Sequence, residues 1–195
     1  MIALLVCATL SAEGHFGILA GVNNSTLSLS DFKTGGQYSF AGGVTYNLPL
    51  GYGFAFQPEL LYTVKGTKWT EEGTDNNYRV SYLELPLQVQ WGLDLIVLKP
   101  YLFMEPFVGL ALAGRYNDQS FAVSSFNMDM KEMRSRFEYG VGAGAGLLIG
   151  NRIQIAAKYY WNLEDFNYKY EGAWTLDGKK TPAHRGFNIL VGFLF

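Results

Sequence analysis

Arg152-Ile-Gln-Ile-Ala-Ala-Lys-Tyr-Tyr-Trp-Asn-Leu-Glu164 alternates between two kinds of side chain along its whole length. Ile153, Ile155, Ala157, Tyr159, Trp161 and Leu163 share one face. Arg152, Gln154, Ala156, Lys158, Tyr160, Asn162 and Glu164 share the other. A period of two marks an extended strand with two differently solvated faces. Length then decides the fold. Strands of soluble proteins average about 5–6 residues, whereas a tilted strand crossing a bilayer takes about 9–11. This one is long enough to cross.

The same pattern recurs on both sides of it. From Arg134 to Ile149, Phe137, Tyr139, Val141, Ala143, Ala145, Leu147 and Ile149 oppose Arg134, Arg136, Glu138 and then Gly140, Gly142, Gly144 and Gly146. From Tyr101 to Tyr116, Leu102, Met104, Val108, Leu110 and Leu112 oppose Tyr101, Phe103, Glu105, Phe107, Gly109 and Arg115. Leu83, Leu85, Leu87, Val89 and Trp91 oppose Tyr82, Glu84, Gln88 and Gln90, and Phe54, Phe56, Leu60, Tyr62 and Val64 oppose Gln57, Glu59, Thr63 and Lys65. Segments 15–23, 38–48 and 187–195 complete eight. An even number of long alternating strands predicts an all-β fold, an eight-stranded antiparallel up-and-down transmembrane β-barrel. Short connections near 49–53, 92–98 and 150–151 alternate with long polar ones near 24–36, 66–77, 117–132 and 167–184, the expected contrast of periplasmic turns and external loops. Pro58, Pro86, Pro100 and Pro106 predict bulges or strand starts.

Composition agrees. Charged residues make up 16% of the 195, below the roughly 25% of soluble domains, while 23 glycines, 14 Phe and 13 Tyr accompany them. Mean hydropathy is only +0.05, so a bundle of apolar helices is excluded. A net charge of −2 argues against a nucleic-acid partner. Residues 1–12, Met1-Ile-Ala-Leu-Leu-Val-Cys-Ala-Thr-Leu-Ser-Ala12, read as a signal peptide whose basic start has been trimmed, leaving 13–195 as the barrel domain. Cys7 is the one cysteine, so the mature domain has no disulfide or thiolate chemistry.

Which face meets lipid follows from chemistry. Lipid requires every backbone group to be bonded within the chain, and a closed barrel does this. The aliphatic and aromatic rows then face acyl chains, with Tyr38, Trp69, Trp91, Tyr116 and Trp161 at interfacial girdles. The other face places Glu59, Lys65, Glu84, Glu105, Arg115, Arg134, Arg136, Glu138, Arg152, Lys158 and Glu164 in the lumen as a candidate charge network. Eight strands enclose little more room than side chains fill. The β-alternating glycines 140–146 vacate one wall, and Phe103, Phe107 and Tyr160 are candidates to occupy it.

Gly17-Ile-Leu-Ala-Gly21, Asn23-Asn-Ser25, Glu59-Leu-Leu-Tyr62 with Lys65-Gly66, Tyr82-Leu-Glu-Leu-Pro-Leu87, Phe107-Val-Gly-Leu110 and the terminal Phe195 together resemble the small outer-membrane barrels of the PorT-like "porin family" of Bacteroides-type bacteria. The resemblance runs from about Gly17 to Phe195. It implies a fold and an outer-membrane location, and no substrate or catalytic residues. Phe195 closing an apolar alternation resembles the signal read by barrel-assembly machinery, an exposed edge able to pair before closure.

Catalysis finds little support. His15 and His184 are the two histidines and are expected at opposite barrel ends. A triad of His184 with Ser124 or Ser125 and Asp165 has no spacing to recommend it. Loop acids Glu71, Glu72, Asp75, Asp129 and Glu132 show no calcium-loop spacing. The expected protein is not an enzyme and holds no metal or cofactor. Its expected role is structural, or one of surface interaction through external loops with an envelope protein or a glycan, its other partner being outer-membrane lipid. A narrow porin-like channel, a soluble ligand-binding barrel and a lipid-modifying enzyme are the rival readings.

Overall fold

A computed structural model describes residues 14–27, 35–71, 74–116, 119–122, 137–164 and 184–195. Residues 1–12, read above as a signal peptide, lie outside these. The strands are β1 (His15–Leu27), β2 (Gly35–Gly51), β3 (Phe54–Glu71), β4 (Thr74–Gly92), β5 (Leu98–Tyr116), β6 (Gln119–Ala122), β7 (Phe137–Ile149), β8 (Ile153–Glu164) and β9 (His184–Leu194). Eight of them pair antiparallel in the order β4-β3-β2-β1-β9-β8-β7-β5, and β4–β5 pairing closes the ring. The short extra strand β6, which alternation did not reveal, pairs with the end of β5 from Ala113 to Tyr116.

The closed wall separates the two faces as chemistry requires. Ile153, Ile155, Ile189, Val191, Leu102 and Met104 point outward, while Lys158, Gln154, Glu105 and Asn188 are buried within. Aliphatic residues occupy the middle of the outer surface. Aromatic pairs lie toward its edges: Phe16–Tyr46, Phe193–Phe195 and Tyr159–Trp161. Trp91, Trp161 and Tyr38 stand outward near strand ends; for Trp69 and Tyr116 only the backbone is described. An apolar surface running round the whole wall exceeds the patches of about 300–600 Å² that soluble monomers expose. A soluble ligand-binding barrel needs the reverse arrangement, with Ile153 and Ile155 inside.

The inward face of β7 explains how the wall is filled. A Cβ on Gly140 would lie 2.5 Å from Phe107 Cζ, on Gly144 2.6 Å from Phe103 Cζ, and on Gly142 3.1 Å from Glu105 Cγ; Tyr101 lies in the same way over Gly146. Four side chains of β5 therefore lie flat across four glycines of its neighbour. Tyr160 of β8 meets Phe107 edge-to-face at 6.2 Å.

Several local readings are corrected. Residues 66–71 and 74–77 are strand rather than polar loop: β3 and β4 remain paired from Lys65↔Val80 out to Glu71↔Thr74. Polar residues on both parities read as a loop, but Thr, Trp, Tyr and Val favour extended backbone. Pro58, Pro86, Pro100 and Pro106 do not shift register. Pro58↔Leu87 and Leu61↔Glu84 remain in step, as do Pro86↔Phe107 and Val89↔Met104. Register breaks instead fall at Gly36/Ala41, Pro49/Gly51, Ser81/Tyr82 and Tyr139/Gly140. Gly150-Asn151 forms a tight turn with φ of 56° at both residues, the geometry that favours these residue types.

A candidate functional site in the charged lumen

Inward parity on five strands brings ionised groups together in two tiers. β3 supplies Glu59 and, six residues further toward the loop rim, Lys65. β4 supplies Glu84, β5 Glu105, β7 Glu138 and β8 Lys158. All six are buried.

The tier near the loop rim centres on Lys65. Its Nζ lies 2.7 Å from Glu138 Oε1 and 2.8 Å from Glu84 Oε1. It also donates to Asn162 Oδ1 at 3.2 Å. Asn162 in turn donates to Glu138 Oε2 at 2.5 Å. Three rings surround the ammonium, with centroids 4.7 Å (Tyr160), 4.8 Å (Phe107) and 5.3 Å (Tyr82) away. Ring faces attract a cation most when water is excluded. Tyr160 is itself fixed by donating to Asn23 Oδ1 at 3.1 Å, and Asn23 donates to Val64 O at 2.7 Å.

The tier near the turn rim centres on Lys158. Its Nζ is 2.5 Å from Glu105 Oε1 but 3.8 Å from Glu59 Oε2, and that second oxygen makes no hydrogen bond to the described residues. Amides do the rest. Gln88 donates to Glu105 Oε2 at 3.0 Å, and Gln57 to Glu59 Oε1 at 2.9 Å and Gln154 Oε1 at 3.3 Å. Gln154 donates to Tyr101 Oη at 2.6 Å. Asn47 and Gln90 both donate to Gln57 Oε1, at 2.8 and 3.1 Å, and Gln90 also donates to Gln88 Oε1. On the β3 side, Leu61 separates the tiers, packed with Leu19, Ala41 and Leu190.

These bonds cross the lumen. β3 and β8 are four places apart in a ring of eight, so Lys65–Asn162, Lys158–Glu59 and Gln57–Gln154 tie opposite walls. Two lysines face four glutamates here, so acidic side chains outnumber basic ones in the two tiers.

Of the other charges assigned inward, Arg152 is corrected: it stands exposed in the β7–β8 turn, where its N–H donates to Ile149 O at 3.1 Å. The strand begins one residue later, so alternation does not govern its direction. Arg115 and Glu164 are described by backbone alone, and Arg134 and Arg136 lie outside the described residues. Alternation also held a signal that charge alone did not. Gln57, Gln88, Gln90 and Gln154 and the rings Tyr82, Phe107 and Tyr160 share the inward parity of the ions they hold.

Chemistry has no assembled nucleophile here. His15 opens β1 with Nδ1 3.3 Å from Phe195 O, whereas His184 pairs with Leu27 at the other rim. Ser124, Ser125 and Asp165 lie outside the described residues. Among the described residues no three His, Cys, Asp or Glu are grouped to hold a metal ion.

Residues 11–168 match the family described as "Outer membrane protein beta-barrel domain". Among solved structures, the fold is similar to the outer membrane protein OprG from Pseudomonas aeruginosa, at 10% identity over 94% of this chain and 97% of that one, with a TM-score of 0.51. It is similar also to the outer membrane enzyme PagL, at 12% identity over 90% and 97%, with a TM-score of 0.50. Ail, the attachment invasion locus protein of Yersinia pestis, aligns at 15% identity over 94% and 99%, with a TM-score of 0.48. No curated protein matches the chain. At these identities the structural likeness is one of fold.

Proposed function

The chain belongs to the outer membrane protein beta-barrel family and resides in the bacterial outer membrane, and from that premise we propose that it is a sealed, non-enzymatic barrel that acts through its surface rather than through its lumen. One observation carries this reading. Lys65 and Lys158 each project from one wall and end on carboxylates of other strands, with both side chains buried. An eight-stranded lumen crossed by two such tiers has no continuous aqueous path. Breaking a tier to let a solute through leaves buried charge without its partner, which costs up to about 3–5 kcal/mol.

The role that remains is structural, or one of contact at the loop rim with an envelope protein or glycan. β9, the strand that seals the ring against β1 and carries Phe193 and Phe195 outward, is the natural strand for the assembly machinery to engage. A PorT-like porin affinity is supported by a convergence: Glu59, Lys65 and Glu84, the charged residues of the resembling motifs, are all buried in the lumen, where Lys65 pairs with Glu84.

Planar-bilayer recording tests the sealed reading. The purified, refolded protein is expected to give no discrete conductance steps. Regular ohmic openings in the native sequence refute it and favour a narrow channel, which the excess of acidic side chains in the two tiers would make cation-selective.

A further inference from the structure

Two connections of the barrel's turn rim that lie side by side differ in character. The β7–β8 turn is polar, with Asn151 and Arg152 at its tip. The β4–β5 connection reads Leu93-Asp-Leu-Ile-Val-Leu98. Leu95 and Leu98 close it with reciprocal N–H···O bonds of 2.9 and 2.7 Å, leaving Ile96 and Val97 as the tip. Neither has a positive φ, and no turn geometry calls for β-branched side chains there. Ile96 is fully exposed and Val97 is 61% exposed. Leu93 and Leu95 are exposed beside them. The one acid in the turn, Asp94, is paired with Lys99 at 3.0 Å.

The turn is held in place. Gly92 N–H donates to Gly53 O at 2.9 Å, which sets the β2–β3 turn and its exposed Tyr52 alongside. Gly150 N–H donates to Val97 O at 2.7 Å from the other side. The apolar residues are also continuous with the lipid-facing wall. Leu93 and Leu95 keep the outward parity of Leu87, Val89 and Trp91, and Leu98 passes the row on to Leu102 of β5.

We propose that the β4–β5 turn is a lipid anchor. Ile96 and Val97, flanked by Leu93, Leu95 and Tyr52, insert into the interfacial zone of the periplasmic leaflet instead of projecting into the periplasm. Tyrosine suits that zone because its ring is apolar and its hydroxyl is wet. The Asp94–Lys99 pair brings no net charge, and the lysine stem can carry its ammonium toward the headgroups. The barrel is thereby seated deeper on the β3–β5 side than at the polar β7–β8 turn. This inference rests on the outer-membrane location given above.

Site-specific fluorescence decides it. Cys7 is replaced by Ser in the full chain, and Ile96→Cys, Val97→Cys, Asn151→Cys and Ile155→Cys are each labelled with an environment-sensitive nitrobenzoxadiazole probe. Each is reconstituted into phosphatidylcholine vesicles with iodide on both sides, and folding is verified by heat-modifiable gel migration. Probes at 96 and 97 are expected to emit at shorter wavelength than at 151. They should be quenched by shallow nitroxide lipid, and their iodide quenching constants should be several-fold below that at 151. Iodide quenching at 96 and 97 equal to that at 151, with 155 still shielded, overturns the anchor alone. A water-exposed probe at 155 overturns the membrane location, and the anchor with it.

Discussion

The two lumen tiers hold the same kind of charge by different means. Lys65 has two carboxylates within 2.8 Å and three rings around it. Lys158 has one close carboxylate, a second at 3.8 Å and, among the described residues, no ring contact like those of Lys65. Its carboxylate partners are held by glutamine amides as well as by the ammonium. The contrast separates two ways of burying an ion. In the first, all of the stabilisation converges on one atom, so removing that atom leaves everything else unsatisfied. In the second, it is spread over a network that retains most of its bonds when one member is lost.

The largest effect should come from Lys65→Met. It strands Glu84 and Glu138 together in a dry site, and urea unfolding in detergent micelles should show a loss of about 3–5 kcal/mol. Lys158→Met should cost less, about 1–3 kcal/mol, because Gln88 and Gln57 still donate to Glu105 and Glu59. Equal losses for the two lysines would erase the distinction between the tiers. Adding Glu84→Gln and Glu138→Gln to Lys65→Met should return most of the lost stability, since neutral groups carry a far smaller burial cost. If the triple variant is no more stable than the single one, ring packing rather than charge pairing dominates that tier. Tyr160→Phe removes only the bond to Asn23 and should cost about 1 kcal/mol by the same assay. Arg152→Ala, at the exposed turn, should stay within about 0.5 kcal/mol.

How much of this was legible depended on which rule governs each residue. Alternation revealed all eight wall strands and both faces, because a single pattern of period two repeats wherever lipid lies on one side and a packed lumen on the other. It failed where that asymmetry ends. Along 66–71 and 74–77 polar residues fall on both parities, so these stretches of strand lack an apolar row. Arg152 lies one residue before its strand. The four acids Glu59, Glu84, Glu105 and Glu138 were recognisable individually, but which lysine each one meets was not. That depends on strand stagger around the ring, set by bulges such as Ser81/Tyr82, which no pairwise feature of the sequence announces. The glutamines were passed over because uncharged amides carry little signal until their neighbours are known.

The glycine row of β7 has a further consequence. Each of its inward positions is already occupied by a β5 side chain, while each intervening position meets only fluid acyl chains. Tolerance to substitution along this one strand should therefore beat with every step. Even a methyl group is refused at 140, 144 and 146, and almost any aliphatic residue is accepted at 141, 143 and 145. A saturation scan of the strand would read as a barcode, printing the inside and outside of the wall directly into survival counts.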